Sequence, residues 1–141
     1  MSSEALNHAT KLLSGRDKTT AQVRDALERK GFPRADIDAA IARCVELKYL
    51  DDARIAKRLA LDGLDDGWVG DALLGRLTAK GLEDRVAHDA IALAREERGY
   101  SDRSAAVTLL TQRKLSGPKA ARFLASRGFA EELVEQLVTG E

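Results

Sequence analysis

The feature that most constrains this chain is a triplet of a basic residue, a glycine and an apolar residue that occurs three times. The triplets read "KGF", "KGL" and "RGF" and are centred on Gly31, Gly81 and Gly128, at intervals of 50 and 47 residues. A leucine lies four residues before each glycine, and apolar residues recur after it. Such self-similarity at a nearly fixed period is typical of a repeat protein.

Each of these glycines is predicted to end a helix. Before the first one, apolar side chains recur at helical spacing, as at Val23 and Leu27. Glycine adopts the left-handed conformation that closes a helix, and a basic neighbour suits the negative end of the helix dipole. Amphipathic segments flank each triplet. We therefore predict an all-α fold of three tandem three-helix repeats, about nine helices in an elongated, curved array, with repeats at 1–50, 51–100 and 101–141.

Polar and glycine-rich stretches are predicted to separate the helices. They are Ser14-Gly15, the sequence "DGLDDG" from Asp62 to Gly67, and the sequence "SGP" from Ser116 to Pro118. We interpret "DGLDDG" as a polar connector, and Trp68 is then placed just inside the next helix.

The sequence "YLDDARIA", from Tyr49 to Ala56, contains two adjacent aspartates. Neighbouring residues on a helix project about 100° apart, so Asp51 and Asp52 do not face one substrate as an acid and a base would. They fit a helix start instead, with Asp51 as the N-cap and Asp52 in the first turn. Leu50 and Ile55 would then form a hydrophobic staple. We interpret the pair as a corner between the first and second repeats.

The overall charge excludes a general attraction to polyanions. The 23 Lys and Arg residues balance 23 Asp and Glu residues, so nucleic acid or an acidic membrane would have to meet a local patch. The single cysteine, Cys44, lies at helical spacing from apolar neighbours, which predicts that its thiol is packed against them. A single cysteine also fits a reducing compartment. No apolar run reaches the roughly 18 residues of a membrane span. We expect a cytoplasmic monomer that does not associate with membranes.

The sequence lacks the short motifs of common enzymes. It has no nucleophile elbow, no phosphate-binding loop and no dinucleotide-binding glycine motif. His8, His88 and Cys44 are far apart and have none of the short spacings of zinc ligands. We predict no enzyme activity, no catalytic residue, no metal and no cofactor.

The candidate functional residues are basic or aromatic side chains on helices. Arg54, Lys57 and Arg58 share one face of the helix after the aspartate pair, and a second basic group gathers in the last repeat. The alternative for these residues is an ordinary solvated helix face. Trp68, the sole tryptophan, either fills the core or is a binding hot spot. The candidate partner-binding residues are Arg54, Lys57, Arg58, Trp68, Arg76, Lys80, Arg113, Lys114, Lys119, Arg122 and Arg127.

Several of these segments resemble the RecX family of recombination regulators. They are "YLDD" with "ARIA" (49–56), "LTAKGL" (77–82), "ARFLASRGF" (121–129) and "KTTAQVRDALERKGF" (18–32), and the match covers almost the whole chain. The resemblance implies three-helix repeats that lodge in the groove of the RecA recombinase filament on single-stranded DNA. It also implies a negative regulator of homologous recombination, DNA repair and the SOS response that inhibits filament extension, ATPase and strand exchange.

Two other functions remain open at this point. A helical DNA-binding module would place one helix in a groove, and weak direct DNA contact is also compatible with a recombination regulator. The zero net charge and the acidic "LDDGW" (64–68) count against DNA as the main partner. The segment "LERKGFPRADIDAAI" (27–41) is similar to ubiquitin-associated domains and favours a protein-interaction adaptor. The three-repeat pattern favours the RecX resemblance.

Overall fold

The computed structural model describes residues 3–139, and in that range the chain forms nine α-helices and no strand. The helices are α1 Ser3–Gly15, α2 Thr20–Arg29, α3 Arg34–Glu46, α4 Asp52–Asp65, α5 Gly70–Thr78, α6 Asp84–Arg98, α7 Asp102–Arg113, α8 Gly117–Ser126 and α9 Glu131–Thr139. The prediction of an all-α repeat fold with about nine helices is confirmed.

The helices follow one another in triplets, which we call repeat one (α1–α3), repeat two (α4–α6) and repeat three (α7–α9). In repeats one and two the first and third helices form the largest contact, whereas in repeat three α8 packs mainly on α9. One buried core lies within repeat one, and a second core joins repeats two and three. Because these two repeats share a core, the division into three units with boundaries at residues 50 and 100 stays a prediction.

The repeat glycines close helices as predicted. Their φ angles are +85° at Gly31, +91° at Gly81 and +97° at Gly128, a region that residues with a Cβ rarely adopt. After α2, the N–H of Gly31 donates to the carbonyl of Glu28 (2.9 Å), and the next N–H donates to that of Leu27 (3.3 Å). These two bonds form a Schellman cap, and the same pair closes α8. The leucine four residues before the glycine thus supplies a carbonyl that the cap satisfies.

The prediction of a polar connector from Asp62 to Gly67 is wrong over most of its length. Helix α4 continues through Asp65, and both Gly63 and Leu64 are buried within it. A Cβ on Gly63 would overlap the side chain of Leu73, so this glycine allows α5 to pack closely on α4. Trp68 lies in the turn before α5 and not inside that helix. Polarity suggested a loop here because three aspartates surround one core leucine.

The adjacent aspartates fix the corner between repeats one and two. Asp51 Oδ1 accepts the backbone N–H of Arg54 at 3.1 Å, which confirms Asp51 as the N-cap of α4. Asp52 Oδ1 accepts both the backbone N–H (2.8 Å) and the hydroxyl (3.2 Å) of Thr20, the first residue of α2. One carboxylate therefore holds the start of α4 against the start of α2.

Candidate partner-binding surface

The repeats meet at two equivalent joints. At the first joint, the hydroxyl of Thr19, the N-cap residue of α2, donates to the carbonyl of Lys80 at 2.8 Å. At the second joint, the backbone N–H of Val69, the N-cap residue of α5, donates to the carbonyl of Arg127 at 2.9 Å. Lys80 and Arg127 are the basic residues of the repeated triplets. The same triplet position of successive repeats therefore closes each joint.

Two of the repeat glycines lie inside these joints. A Cβ on Gly81 would lie 2.5 Å from Ala21 Cβ, and a Cβ on Gly128 would overlap the carbonyl oxygen of Val69. Gly31, in repeat one, has nothing within 4 Å of the same position. At Gly81 and Gly128 the lack of a side chain therefore allows both the left-handed turn and the close contact between repeats, whereas at Gly31 it allows the turn.

Three arginines and two aromatic rings stack around the second joint, and we call this set the arginine ladder. The guanidinium carbons of Arg76 and Arg127 each lie 4.3 Å from the ring centroid of Trp68. The ring centroid of Phe123 lies 4.9 Å from Arg127 and 4.8 Å from Arg113. The order is therefore Arg76, Trp68, Arg127, Phe123, Arg113. Cation–π contacts of this kind stabilise the position of each guanidinium group.

The arginine ladder concentrates positive charge. Burial, followed by the like charges of Arg113 and Arg76, lowers the pKa of Arg127, while the charge of Asp66 acts in the opposite direction. Arg127 Nη1 donates to the backbone carbonyl of Asp66 at 2.7 Å, which ties the ladder to the turn between α4 and α5. Among residues 3–139, no carboxylate forms an ion pair with a ladder arginine. The ladder therefore has guanidinium N–H groups that can donate hydrogen bonds to an external anion.

The basic face predicted on α4 is mostly engaged in ion pairs. Arg54 Nη2 lies 3.5 Å from Asp17 Oδ1, and Lys57 Nζ lies 3.2 Å from Glu97 Oε1. Exposed ion pairs contribute little to stability, but they reduce the charge that this face presents to a partner. Arg58 lies apart from them, in a pocket at the first joint.

The basic group predicted in repeat three is divided by the fold. Arg113 and Arg127 belong to the arginine ladder, whereas Lys114, Lys119 and Arg122 are exposed and lie outside it. Phe123 was not among the residues predicted from the sequence. Its position four residues before Arg127 is the signal that could have identified it, because side chains at this spacing meet on one face of a helix.

A cationic pocket of about 430 Å³ lies at the first joint. Its lining includes four basic residues and one acidic residue, namely Arg16, Lys18, Arg58, Lys80 and Asp17. A groove of about 300 Å³ shares Lys80 with this pocket and Arg76 with the arginine ladder, and Asp62 and Asp66 also line it. One surface of mixed charge therefore connects the two joints, with cations at both ends. Arg16 and Lys18 were not among the predicted residues.

Within residues 3–139, no cluster of three or more His, Cys, Asp or Glu side chains is placed to hold a metal ion. No helix of the described range is long and apolar enough to cross a membrane. Cys44 is buried, and burial raises the pKa of its thiol, while His88 is exposed on α6.

The chain is similar to proteins named regulatory protein RecX. A family model described as the first three-helix domain of RecX matches residues 5–44. The regulatory protein RecX of Vibrio vulnificus is 30% identical over 142 residues, which cover 94% of this chain and 90% of that protein. The protein of the same name from Trichlorobacter lovleyi is 30% identical over 141 residues, with 92% and 90% covered. The Syntrophotalea carbinolica protein is 39% identical over 75 residues, covering 52% of this chain and about half (49%) of that relative.

Solved structures show the same fold. The crystal structure of RecX from Lactobacillus salivarius matches with a TM-score of 0.80 at 20% identity, covering 98% of this chain and 94% of that chain. A second crystal structure, of regulatory protein RecX, matches with a TM-score of 0.76 at 16% identity and covers 99% of this chain and 71% of that chain. At these identities the structures establish the common architecture, and function rests on the sequence relatives and on the surface described above.

Proposed function

The chain belongs to the RecX family of regulatory proteins, and from this premise we propose that it is a negative regulator of homologous recombination and DNA repair. It binds the RecA recombinase filament on single-stranded DNA and inhibits filament extension, ATP hydrolysis and strand exchange. The observation that carries the proposal is the similarity, over nearly the full length, to proteins named as RecX regulators. Its regulatory role in the SOS response follows from the same target.

The equivalence of the two joints supports a filament as the partner. Lys80 and Arg127 occupy the same position of successive repeats, and cationic side chains gather at each joint. A filament presents the same surface of its subunit at regular intervals, so a row of repeats can match it at more than one point. Several moderate contacts made together produce much tighter binding than one contact alone.

The contact residues that the geometry favours are a subset of the predicted set. They are the predicted residues that belong to the arginine ladder or line the cationic pocket, namely Arg58, Trp68, Arg76, Lys80, Arg113 and Arg127. Arg54 and Lys57 are weaker candidates because their ion pairs with Asp17 and Glu97 would have to break first. The protein acts by occupying a surface, as a monomer in the cytoplasm, without a cofactor and without membrane contact.

The test is the single-stranded-DNA-dependent ATPase of the RecA recombinase from the same organism. The protein is titrated at fixed DNA and at two salt concentrations. Inhibition at substoichiometric protein, with a weak salt dependence, is the expected result, since protein contacts respond less to salt than phosphate contacts do. An unchanged ATPase at every ratio would overturn the proposal.

Bare single-stranded DNA provides the control for a nucleic-acid function. A DNA-binding module would bind the DNA without the recombinase, and its affinity would fall steeply with salt. That result with no change in ATPase would favour the DNA-binding alternative. No inhibition and no DNA binding would instead indicate an adaptor with a different protein partner.

A further inference from the structure

Most N–H donors of the guanidinium groups in the arginine ladder have no hydrogen-bond partner among residues 3–139. A guanidinium group carries five donors in a planar fork that matches the two oxygens of a carboxylate. Arg127 uses one of these donors on the carbonyl of Asp66. Arg76 and Arg113, at the two ends of the ladder, are exposed and have no ion-pair partner in the described part of the chain. The ladder therefore presents guanidinium groups whose remaining N–H donors are available to an external acceptor.

The guanidinium groups of Arg76 and Arg113 are close enough to that of Arg127 to interact with it electrostatically. Each guanidinium carbon lies 4.3 to 4.9 Å from the centroid of the ring it contacts. Two guanidinium carbons that share a ring are therefore at most twice this distance apart, which is comparable with the Debye length of about 8 Å at physiological salt, so solvent ions screen their repulsion incompletely. Arg113 and Arg76 repel the charge of Arg127. An anion bound along the ladder relieves this repulsion, and residues 3–139 provide no carboxylate that pairs with a ladder arginine.

The rings of the ladder are not available for nucleic-acid bases. Proteins that bind single strands stack bases on open aromatic faces. Trp68 has two guanidinium groups 4.3 Å from its centroid, and Phe123 has two within 4.9 Å. Both rings are also partly buried against the core shared by repeats two and three. The ladder therefore lacks the surface on which sequence-tolerant base stacking depends.

The surroundings of the ladder also disfavour a continuous phosphate backbone. Asp62 and Asp66 line the groove that leads from Arg76 to the first joint, and their charges would repel a chain with a phosphate at every step. Carboxylates on a protein surface can be spaced to avoid these aspartates and to meet the arginines. Trp and Arg are also the residue types enriched at the energetic centre of protein interfaces.

We propose that the arginine ladder is a docking site for an acidic segment of a protein partner, whose carboxylates pair with Arg76, Arg113 and the free edge of Arg127. The inference rests on the proposed function for the identity of that partner, which is then the recombinase filament. The ladder draws its side chains from the α4–α5 turn, α5, α7 and α8. A bound segment therefore also braces repeat two against repeat three.

Trp68 provides a direct signal for this site, because it is the only tryptophan in the chain and lies inside the ladder. Its fluorescence is followed during titration with a tryptophan-free, glutamate-rich peptide and, separately, with an oligothymidine of equal charge. We expect the peptide to change the emission saturably and to bind more tightly than the oligothymidine. Calorimetry gives the affinity independently of the fluorophore.

Four variants distinguish binding at the ladder from a general effect of charge. Arg113→Gln and Arg76→Gln should each weaken peptide binding about fivefold, and the double variant about twentyfold, as expected for truncation of interface arginines. Arg85→Gln removes the same charge from an exposed position on α6 outside the ladder, and its affinity should stay within about twofold of the wild type. Far-UV circular dichroism checks that each variant keeps its helix content.

The outcomes distinguish this inference from the proposed function. If the oligothymidine binds more tightly than the peptide, and Arg113→Gln weakens that binding, the inference is overturned in favour of nucleic acid. If neither probe changes the Trp68 emission, the inference is overturned altogether. In the recombinase ATPase assay, inhibition that is unchanged in the double variant would reject the ladder as the docking site but would leave the proposed function in place. If the peptide binds at the ladder but the wild-type protein does not inhibit the ATPase, the ladder remains a site for acidic segments and the proposed function is rejected.

Discussion

Replacing Gly128 with alanine tests whether the repeat glycines hold the joints, and Gly31→Ala is the matched comparison. Both glycines have a positive φ, +97° and +85°, and both follow a basic residue and precede a phenylalanine. An alanine in the left-handed region costs about 1–2 kcal/mol at either site. The steric surroundings differ. At Gly128 the new Cβ would overlap the Val69 carbonyl oxygen and lie 2.9 Å from Ala72 Cβ, whereas at Gly31 nothing lies within 4 Å.

The overlap at Gly128 would force α8 away from the turn that precedes α5. The hydrogen bond from the Val69 N–H to the Arg127 carbonyl, now 2.9 Å, would weaken or break, at a cost of about 0.5–1.5 kcal/mol. Phe129, which is 5% exposed, would lose part of its packing as well. We expect Gly31→Ala to lower the free energy of unfolding by about 1–2 kcal/mol and Gly128→Ala by about 3 kcal/mol or more.

Urea unfolding followed by far-UV circular dichroism and by Trp68 fluorescence measures both variants. Because repeat one has its own core, each variant is compared with the wild-type transition in which its own repeat unfolds. Gly128→Ala should also change the native emission of Trp68, which Gly31→Ala should leave unaltered. Equal losses of stability in the two variants, with identical native emission, would refute the idea that Gly128 maintains the second joint and would leave helix capping as its whole role.

Three further predictions concern other parts of the chain. Asp52→Ala removes both hydrogen bonds to Thr20 and should lower the free energy of unfolding, measured by urea unfolding, by about 1–3 kcal/mol. A loss below about 0.5 kcal/mol would reject the role of Asp52 in holding α4 against α2. The Tyr100 hydroxyl is buried without a partner in the described chain, so Tyr100→Phe should match or exceed wild-type stability. Burial, with a smaller effect of Asp102, raises the pKa of Tyr100 from 10.0 to about 12, so the wild type should lose stability relative to Tyr100→Phe as the pH rises from 10 to 12; a difference that stays constant would contradict the burial. Cys44 is buried with a raised thiol pKa, so labelling by a thiol reagent at neutral pH should proceed only through opening of repeat one, and labelling as fast as in urea would show that the helix face is exposed.

The parts of the fold that local rules determine were predictable from the sequence. A glycine that follows a helical stripe can be recognised as a cap because the left-handed turn depends on a single residue, as at Gly31. The N-cap at Asp51 follows from the same kind of short-range rule. The prediction of a connector at Gly63 was wrong for a tertiary reason. This glycine lies within α4, and its lack of a side chain leaves room for Leu73 of the neighbouring helix. No pattern within one segment reveals such a contact.

The arginine ladder was predictable in its members but not in its arrangement. Trp68, Arg76, Arg113 and Arg127 were all candidates, yet they lie on four different elements that only the angle between repeats brings together. The sequence offered no reason to separate them from Lys119, which carries the same charge and lies outside the stack. Periodicity can identify equivalent positions, whereas the contact between repeats decides which of them meet.

The two joints differ chemically in a way that the repeat makes visible. Thr19 and Val69 are equivalent N-cap residues, so the residues before them, Lys18 and Trp68, are equivalent as well. At the first joint Lys18 lies in a pocket with Lys80, and at the second joint the corresponding pair is Trp68 stacked on Arg127. Two ammonium groups repel each other and remain hydrated point charges, whereas an indole ring holds a guanidinium group in one orientation. The first joint is therefore suited to attracting any anion, and the second to selecting a partner whose carboxylates fit a fixed geometry. A regulator built in this way can approach an acidic surface through long-range attraction and then distinguish it at a single joint.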